Sequence, residues 1–248
     1  MRRLAAQMRL DTMRAFSQGG AVWFFFILAP TLAFIVPLVT GGINGVTGGG
    51  LPGMVSGVGF MLTIYPFLYE EQGEHRRING LIPIGRARQV AGRYLFVLAW
   101  LLVILLDLVA VRVLAWGGAM LSGGVEASGD LGSLGWDIIS GAVMPTLVIL
   151  LMDALVIPLL YRYPLTKVWQ IIGIAIVCCI AGGALIAWGA PKLLPASAMD
   201  ALTKAMGAIA DAADASPLGA TLVFALVCAA AYELSFLLSR RFNLARNL

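Results

Sequence analysis

Of 248 residues, 60% are hydrophobic and only 12% are charged, seventeen basic against thirteen acidic, for a net charge of +4. Soluble domains carry about 25% charged and about 45–50% apolar residues, so this balance excludes an ordinary soluble fold. The basic residues sit between long apolar runs, which reads as membrane topology and not as a nucleic-acid surface.

The pattern predicts an all-α polytopic membrane protein, a single transmembrane domain over 1–248 with six transmembrane helices. Residues 1–20 form a cytoplasmic interfacial segment. Leu4, Met8 and Ala15 share a stripe flanked by Arg2, Arg3, Arg9 and Arg14, which suits a short helix on the inner leaflet. The first apolar run, 21–40, is about twice the length of a signal-peptide core and no A-x-A-like site follows, so it is expected to be a retained span. A membrane-crossing helix needs about 20 mainly apolar residues. Further stretches that qualify lie near 51–69, 94–116, 138–161, 168–190 and 218–238. Between the last two, Met199, Leu202, Met206 and Ile209 recur at helical spacing, so 198–214 reads as an external helix, either interfacial or packed on the bundle. Residues 239–248 form the tail.

Fourteen of the seventeen basic residues fall in the N-terminal segment, the loop 70–93, the short loop with Arg162 and Lys167, and the C-terminal tail. The opposite side holds Lys192 and Lys204, and Arg112 lies within the third span. The positive-inside rule then places both the N-terminus and the C-terminus in the cytoplasm.

The loop 70–93 is the longest cytoplasmic connection and the richest in charge. Acidic Glu70, Glu71 and Glu74 abut Arg76 and Arg77; then come Leu81-Ile82-Pro83-Ile84 and a basic stretch with Arg86, Arg88 and Arg93. Pro83 suits the first turn of a helix, one expected to lie on the membrane face and present its side chains to a cytoplasmic partner. Read as E-E…L-x-P-x-x-R-x-x-x-V-x-x-R-Y, through Glu70, Glu71, Leu81, Pro83, Arg86, Val90, Arg93 and Tyr94, this stretch resembles the membrane subunits of ABC exporters of the ABC-2 class. Ile157-Pro158-Leu159-Leu160-Tyr161-Arg162-Tyr163 and Tyr232–Arg241 (YELSFLLSRR) are similar to segments that close the fourth and sixth spans in that family. Arg93 stands where lysine is more usual, and Tyr163-Pro164 where a glycine often follows the aromatic.

The resemblance implies a transmembrane permease subunit of the bacterial inner membrane. It would pair with a second copy or a homologous permease and bind two ABC ATPase subunits, which hold ATP and Mg. Glu70, Glu71, Leu81, Pro83, Arg86, Arg88 and Arg93 would then couple the bundle to the ATPase. Consistent with a separate motor, no G-x-x-x-x-G-K-[ST] phosphate loop occurs, so the chain is expected to hold no cofactor and to be no enzyme by itself. Leu121-Ser122-Gly123-Gly124-Val125 imitates the start of an ATPase signature on the wrong side of the membrane.

Asp107 and Arg112 in the third span and Asp153 in the fourth are costly within hydrocarbon, about 2.5–3.5 kcal/mol each on insertion scales, and so are candidates for a translocation path or gate. Helix-fixing hydrogen bonds are the structural alternative. Asp107 and Arg112 are five residues apart, roughly 140° around a helix, a poor geometry for a direct pair; Asp107 then needs a partner on another span, or water, and Arg112 is expected to snorkel outward. Gly53-x-x-x-Gly57 and Ser235-x-x-x-Ser239 offer close helix approach, and Cys178, Cys179 and Cys228 read as small buried hydrophobes. The single histidine, His75, lies in a loop, which leaves no zinc site or triad within the membrane. The flanks of Asp107 and Asp153 lack the small residues expected around an intramembrane aspartyl protease. A non-transporting scaffold, immunity or sensor subunit is the alternative to an exporter.

Overall fold

In the computed structural model, residues 8–9, 11–13, 20–41, 50–71, 85–123, 131–193 and 195–245 are described. Among them are seven long helices and no strand: α1 (Gly20–Thr40), α2 (Gly50–Glu71), α3 (Arg86–Leu121), α4 (Leu131–Arg162), α5 (Leu165–Leu193), α6 (Ala196–Ala215) and α7 (Pro217–Ala245). Five are long and apolar enough to cross a bilayer, within Gly50–Glu70, Ala87–Leu121, Ile138–Arg162, Leu165–Leu185 and Pro217–Leu244. The chain is a multi-pass membrane protein built from helices. That follows from the solvent: in hydrocarbon every backbone N–H and C=O must be satisfied internally, which a helix does within its own segment. The first helix is apolar too, though its described side chains run only from Phe26 to Thr40.

The described residues fall into two compact units. The first comprises 1–162 with 228–248, the second 163–227. At the centre of the first stands α3, packed against α1, α2 and α4; α2 also packs against α4 and α1. Its buried stripe runs Val90, Tyr94, Val97, Leu101, Ile104, Leu108, Val111, Ala115 and Ala119. These steps of three and four residues are the seam spacing of packed helices. Lipid is as apolar as leucine, so the packing rests on van der Waals fit and small residues. Ala29 and Ala33 of α1 and Ala142 of α4 supply such contacts. Gly118 supplies the tightest: a β-carbon there would collide with the backbone carbonyl of Phe34. In the second unit, α5 is exposed along nearly its whole length, as are most described side chains of α6.

Several boundaries differ from expectation. The third span, expected at 94–116, is one continuous helix of 36 residues, about 54 Å long against a hydrocarbon core of about 30 Å. Residues 86–93 therefore form an extension of the span and not a separate helix on the membrane face. No proline interrupts this stretch, so the backbone ladder runs through. The helix begins after Gly85, whose carbonyl accepts from the N–H of Gln89 (3.2 Å). It ends where the Ser122 hydroxyl donates to the Ala119 carbonyl (2.8 Å) and Gly123 adopts a positive φ of 74°. Residues Leu121–Gly123 of the signature look-alike are thus a helix terminus. The close approach expected at Gly53 and Gly57 is not made by any of the described residues. Cys228 is buried as expected, whereas Cys178 and Cys179 are exposed on α5. The N-terminal helix expected to rest on the leaflet is described only at 8–9 and 11–13, which are helical; there Asp11 is wholly buried, a placement its sequence context did not suggest.

Candidate functional site

The ends of four helices meet at the base of the loop 72–84. Glu70 on the last turn of α2 and Arg93 on α3 form an ion pair, both nearly buried. The Arg93 guanidinium lies over the Phe67 ring (4.4 Å to the centroid) and over that of Tyr161 at the end of α4 (5.8 Å). Those rings meet edge to face at 5.3 Å. A charge here is neutralised by its partner and flanked by aromatic faces, whose negative quadrupole favours a cation. One residue on, the Tyr94 hydroxyl hydrogen-bonds with Ser235 Oγ (2.6 Å) and Ser239 Oγ (2.8 Å) of α7. Tyr232 Oη donates to the Tyr94 carbonyl (2.7 Å). Ser235 and Ser239 thus serve as hydrogen-bond partners of a tyrosine and not as a plain small-residue groove. Arg162, at the end of α4, lies over Phe242 of α7 (5.2 Å).

Of the residues expected to couple to a partner, Glu70 and Arg93 are brought together, beside Tyr94 of the same motif, but they face inward. Arg93, expected to be presented to a partner, is turned inward instead: its guanidinium is taken up by Glu70, Phe67 and Tyr161. Arg88 is exposed on the first turns of α3. Arg86 opens α3 and Glu71 ends α2, while Leu81 and Pro83 lie outside the described residues. The motif segments around 70, 93, 161 and 232 are far apart in sequence and form one cluster in space.

Further along the bundle stand three more polar points. About 10 Å above Glu70, at 1.5 Å per residue, the Thr63 hydroxyl lies 2.7 Å from Asp153 Oδ1 and 2.7 Å from the Phe60 carbonyl. Thr63 and Asp153 are both wholly buried, joining α2 to α4. That is the helix-fixing geometry the sequence left open for Asp153. Asp107 stands about 21 Å above Arg93 along α3. It lines a recess with Phe26 and Ala29 of α1 and Met54, Val55 and Val58 of α2. Its Oδ2 is buried and has no hydrogen-bond partner among the described residues. Higher still, Arg112 meets α4. Its guanidinium is packed against Gly141 of α4, where a β-carbon would fall 2.5 Å from Cζ. Asp107 and Arg112 thus address different neighbours, as their angular separation requires.

Among the described residues no group of three or more His, Cys, Asp or Glu side chains is placed to hold a metal ion. No protein-family model matches the chain, and neither a curated protein nor a solved structure is similar to it.

Proposed function

We propose that this chain is the permease subunit of an ATP-driven exporter of the ABC-2 class, with the ATPase on a separate chain. In this reading it has six spans, α1 being the first, and both termini in the cytoplasm of a bacterial inner membrane. The observation that carries it is the clamp at the base of the loop 72–84. Glu70 and Arg93 join the last turn of α2 to α3, about two turns past its start, and Tyr94 ties the same point to α7. A push on the loop would reach α2, α3, α4 and α7 at once, which is what a coupling element must do. Glu70, Arg93, Tyr94, Tyr161, Tyr232, Ser235 and Ser239 of the cluster belong to the segments on which the family resemblance rests. A pair with a second copy or a homologous permease completes the membrane half.

The test is retention of an ATPase. Affinity-purified chain, extracted from its native membranes in mild detergent, is assayed for ATP hydrolysis and for a companion labelled by a photoreactive ATP analogue. Charge reversal at exposed Arg88, alone and with Arg86, is expected to remove both signals while the protein stays monodisperse. A wild-type preparation that never retains a nucleotide-binding companion would overturn the proposal and favour a scaffold, immunity or sensor subunit.

A further inference from the structure

Two N–H donors near one end of α3 have nothing to donate to. Arg112 Nε and Trp116 Nε1 are both buried, and neither has a hydrogen-bond partner among the described residues. The two residues are about 40° apart around the helix and about 6 Å apart along it, so they share a face. A buried donor without an acceptor is costly, and a guanidinium at the edge of hydrocarbon needs a counter-charge or water. Asp107, five residues back along α3, lies roughly 140° away around the helix and lines the recess toward α1 and α2. The guanidinium has its seat on α4 instead. A β-carbon at Gly141 would fall 2.5 Å from Cζ and 2.7 Å from Nε and Nη2. Glycine thus leaves the space in which the planar group lies against the helix. Arg112 as a whole is only half-buried, so part of the side chain remains open to a ligand.

Depth and surroundings narrow the ligand. Arg112 stands about 29 Å along α3 from Arg93, against a hydrocarbon core of about 30 Å. With Arg93 at the base of the loop 72–84, Arg112 and Trp116 lie at the opposite boundary, where lipid phosphates are. In the topology proposed above this is the outer leaflet. Toward the membrane centre, Leu106 of α3 and Met144 and Val148 of α4 are exposed. A guanidinium and an indole N–H over apolar surface suit a phosphodiester that carries acyl chains. The planar fork takes two phosphate oxygens, the indole donates to a third acceptor, and the chains cover the apolar side chains below.

We infer that Arg112 and Trp116, with Gly141 as the seat of the guanidinium, bind the phosphate of an anionic phospholipid at the end of the α3–α4 seam. The inference does not rest on the exporter reading.

Purified full-length protein in neutral detergent is titrated with radiolabelled dioctanoyl phosphatidylglycerol, with protein-free detergent subtracted. Dioctanoylglycerol, which has the chains without the phosphate, and inorganic phosphate, which lacks the chains, are the competitors. One saturable site per chain is expected, displaced by the unlabelled phospholipid and by neither competitor. Arg112→Gln should weaken binding by roughly tenfold or more, the loss expected for a charged hydrogen bond. Arg112→Lys, a point charge without the planar fork, should fall between Arg112→Gln and wild type. Gly141→Ala, which keeps the charge and removes its seat, should do the same. Trp116→Phe should weaken binding about two- to fivefold, and stands in if Arg112→Gln fails to fold. Displacement by dioctanoylglycerol as effective as by the phospholipid would overturn the inference, since the apolar surface alone would then bind. Equal displacement by inorganic phosphate would overturn it in favour of a free-anion site. Unchanged affinity in monodisperse Arg112→Gln, or wild-type protein with no saturable site, overturns it equally. Asp137, whose side chain lies outside the described residues, precedes Gly141 by one turn of α4. A site that appears only in Asp137→Asn would make this acid the partner of Arg112 and sink the lipid site.

Discussion

Replacing Arg93 with methionine tests whether the Glu70–Arg93 pair is a buried clamp or a surface decoration. Both side chains are close to fully covered, so removing the guanidinium leaves the Glu70 carboxylate desolvated beside Phe67 and Tyr161. Breaking a buried ion pair from one side costs about 3–5 kcal/mol, and loss of the cation–π contact adds about 0.5–2 kcal/mol. An exposed pair would cost about 0–1 kcal/mol. Glu70→Gln leaves the opposite charge unpaired and should cost a comparable amount. The combined variant Glu70→Leu/Arg93→Met removes both charges while keeping volume, and should recover most of the loss, since apolar replacements of buried pairs are often neutral or stabilising. On the scale for chains of 150–250 residues, where 1 kcal/mol shifts the melting temperature by about 2–4 °C, Glu70→Gln should melt about 6–20 °C lower and Arg93→Met about 7–28 °C lower. The assay is thermal unfolding of the purified protein in one detergent, followed by circular dichroism, with both single variants and the double variant in a cycle. Single losses under about 1 kcal/mol that simply add in the double variant would refute the clamp, and with it the coupling path drawn through α2 and α3.

Two further expectations concern how α3 is held. Tyr94→Phe removes the hydroxyl shared by Ser235 and Ser239 and leaves buried hydroxyls with one partner fewer, a cost of about 1–3 kcal/mol; hydrogen exchange should rise in 232–245 of α7 and not in α1, and a uniform rise would contradict the assignment. Gly118→Ala puts a methyl into the backbone carbonyl of Phe34, which cannot swing aside, whereas Gly59→Ala meets only the Ile104 side chain; overpacking costs about 1–3 kcal/mol, so Gly118→Ala should lower the melting temperature clearly more, and equal effects would mean that α1 and α3 are not in such close approach.

The solvent of this protein, its helical class and the approximate position of each long helix were legible in the chain, because a hydrocarbon environment demands long apolar runs and leaves the backbone no choice but the helix. The amphipathic helix over 196–215 was legible for the same reason in reverse: its polar residues break the apolar pattern with a helical period. Which face of each span meets its neighbours was not legible. On α3, buried Leu101, Ile104 and Leu108 alternate with exposed Leu102, Val103 and Leu106. Lipid and protein interior are equally apolar, so the inward stripe carries no contrast in hydrophobicity by which it can be read. The fate of the polar residues was decided by tertiary structure alone. Arg93 turns inward because Glu70, Phe67 and Tyr161 converge on it from two other helices. Asp153 accepts a hydrogen bond at Oδ1 from a threonine ninety residues away, while its Oδ2 has no hydrogen-bond partner among the described residues. Asp107 is left facing a recess because Arg112, five residues on, points to a different helix. The sequence named these side chains as costly. Their partners, or the want of them, depend on helix register and rotation, which are set only when the helices pack.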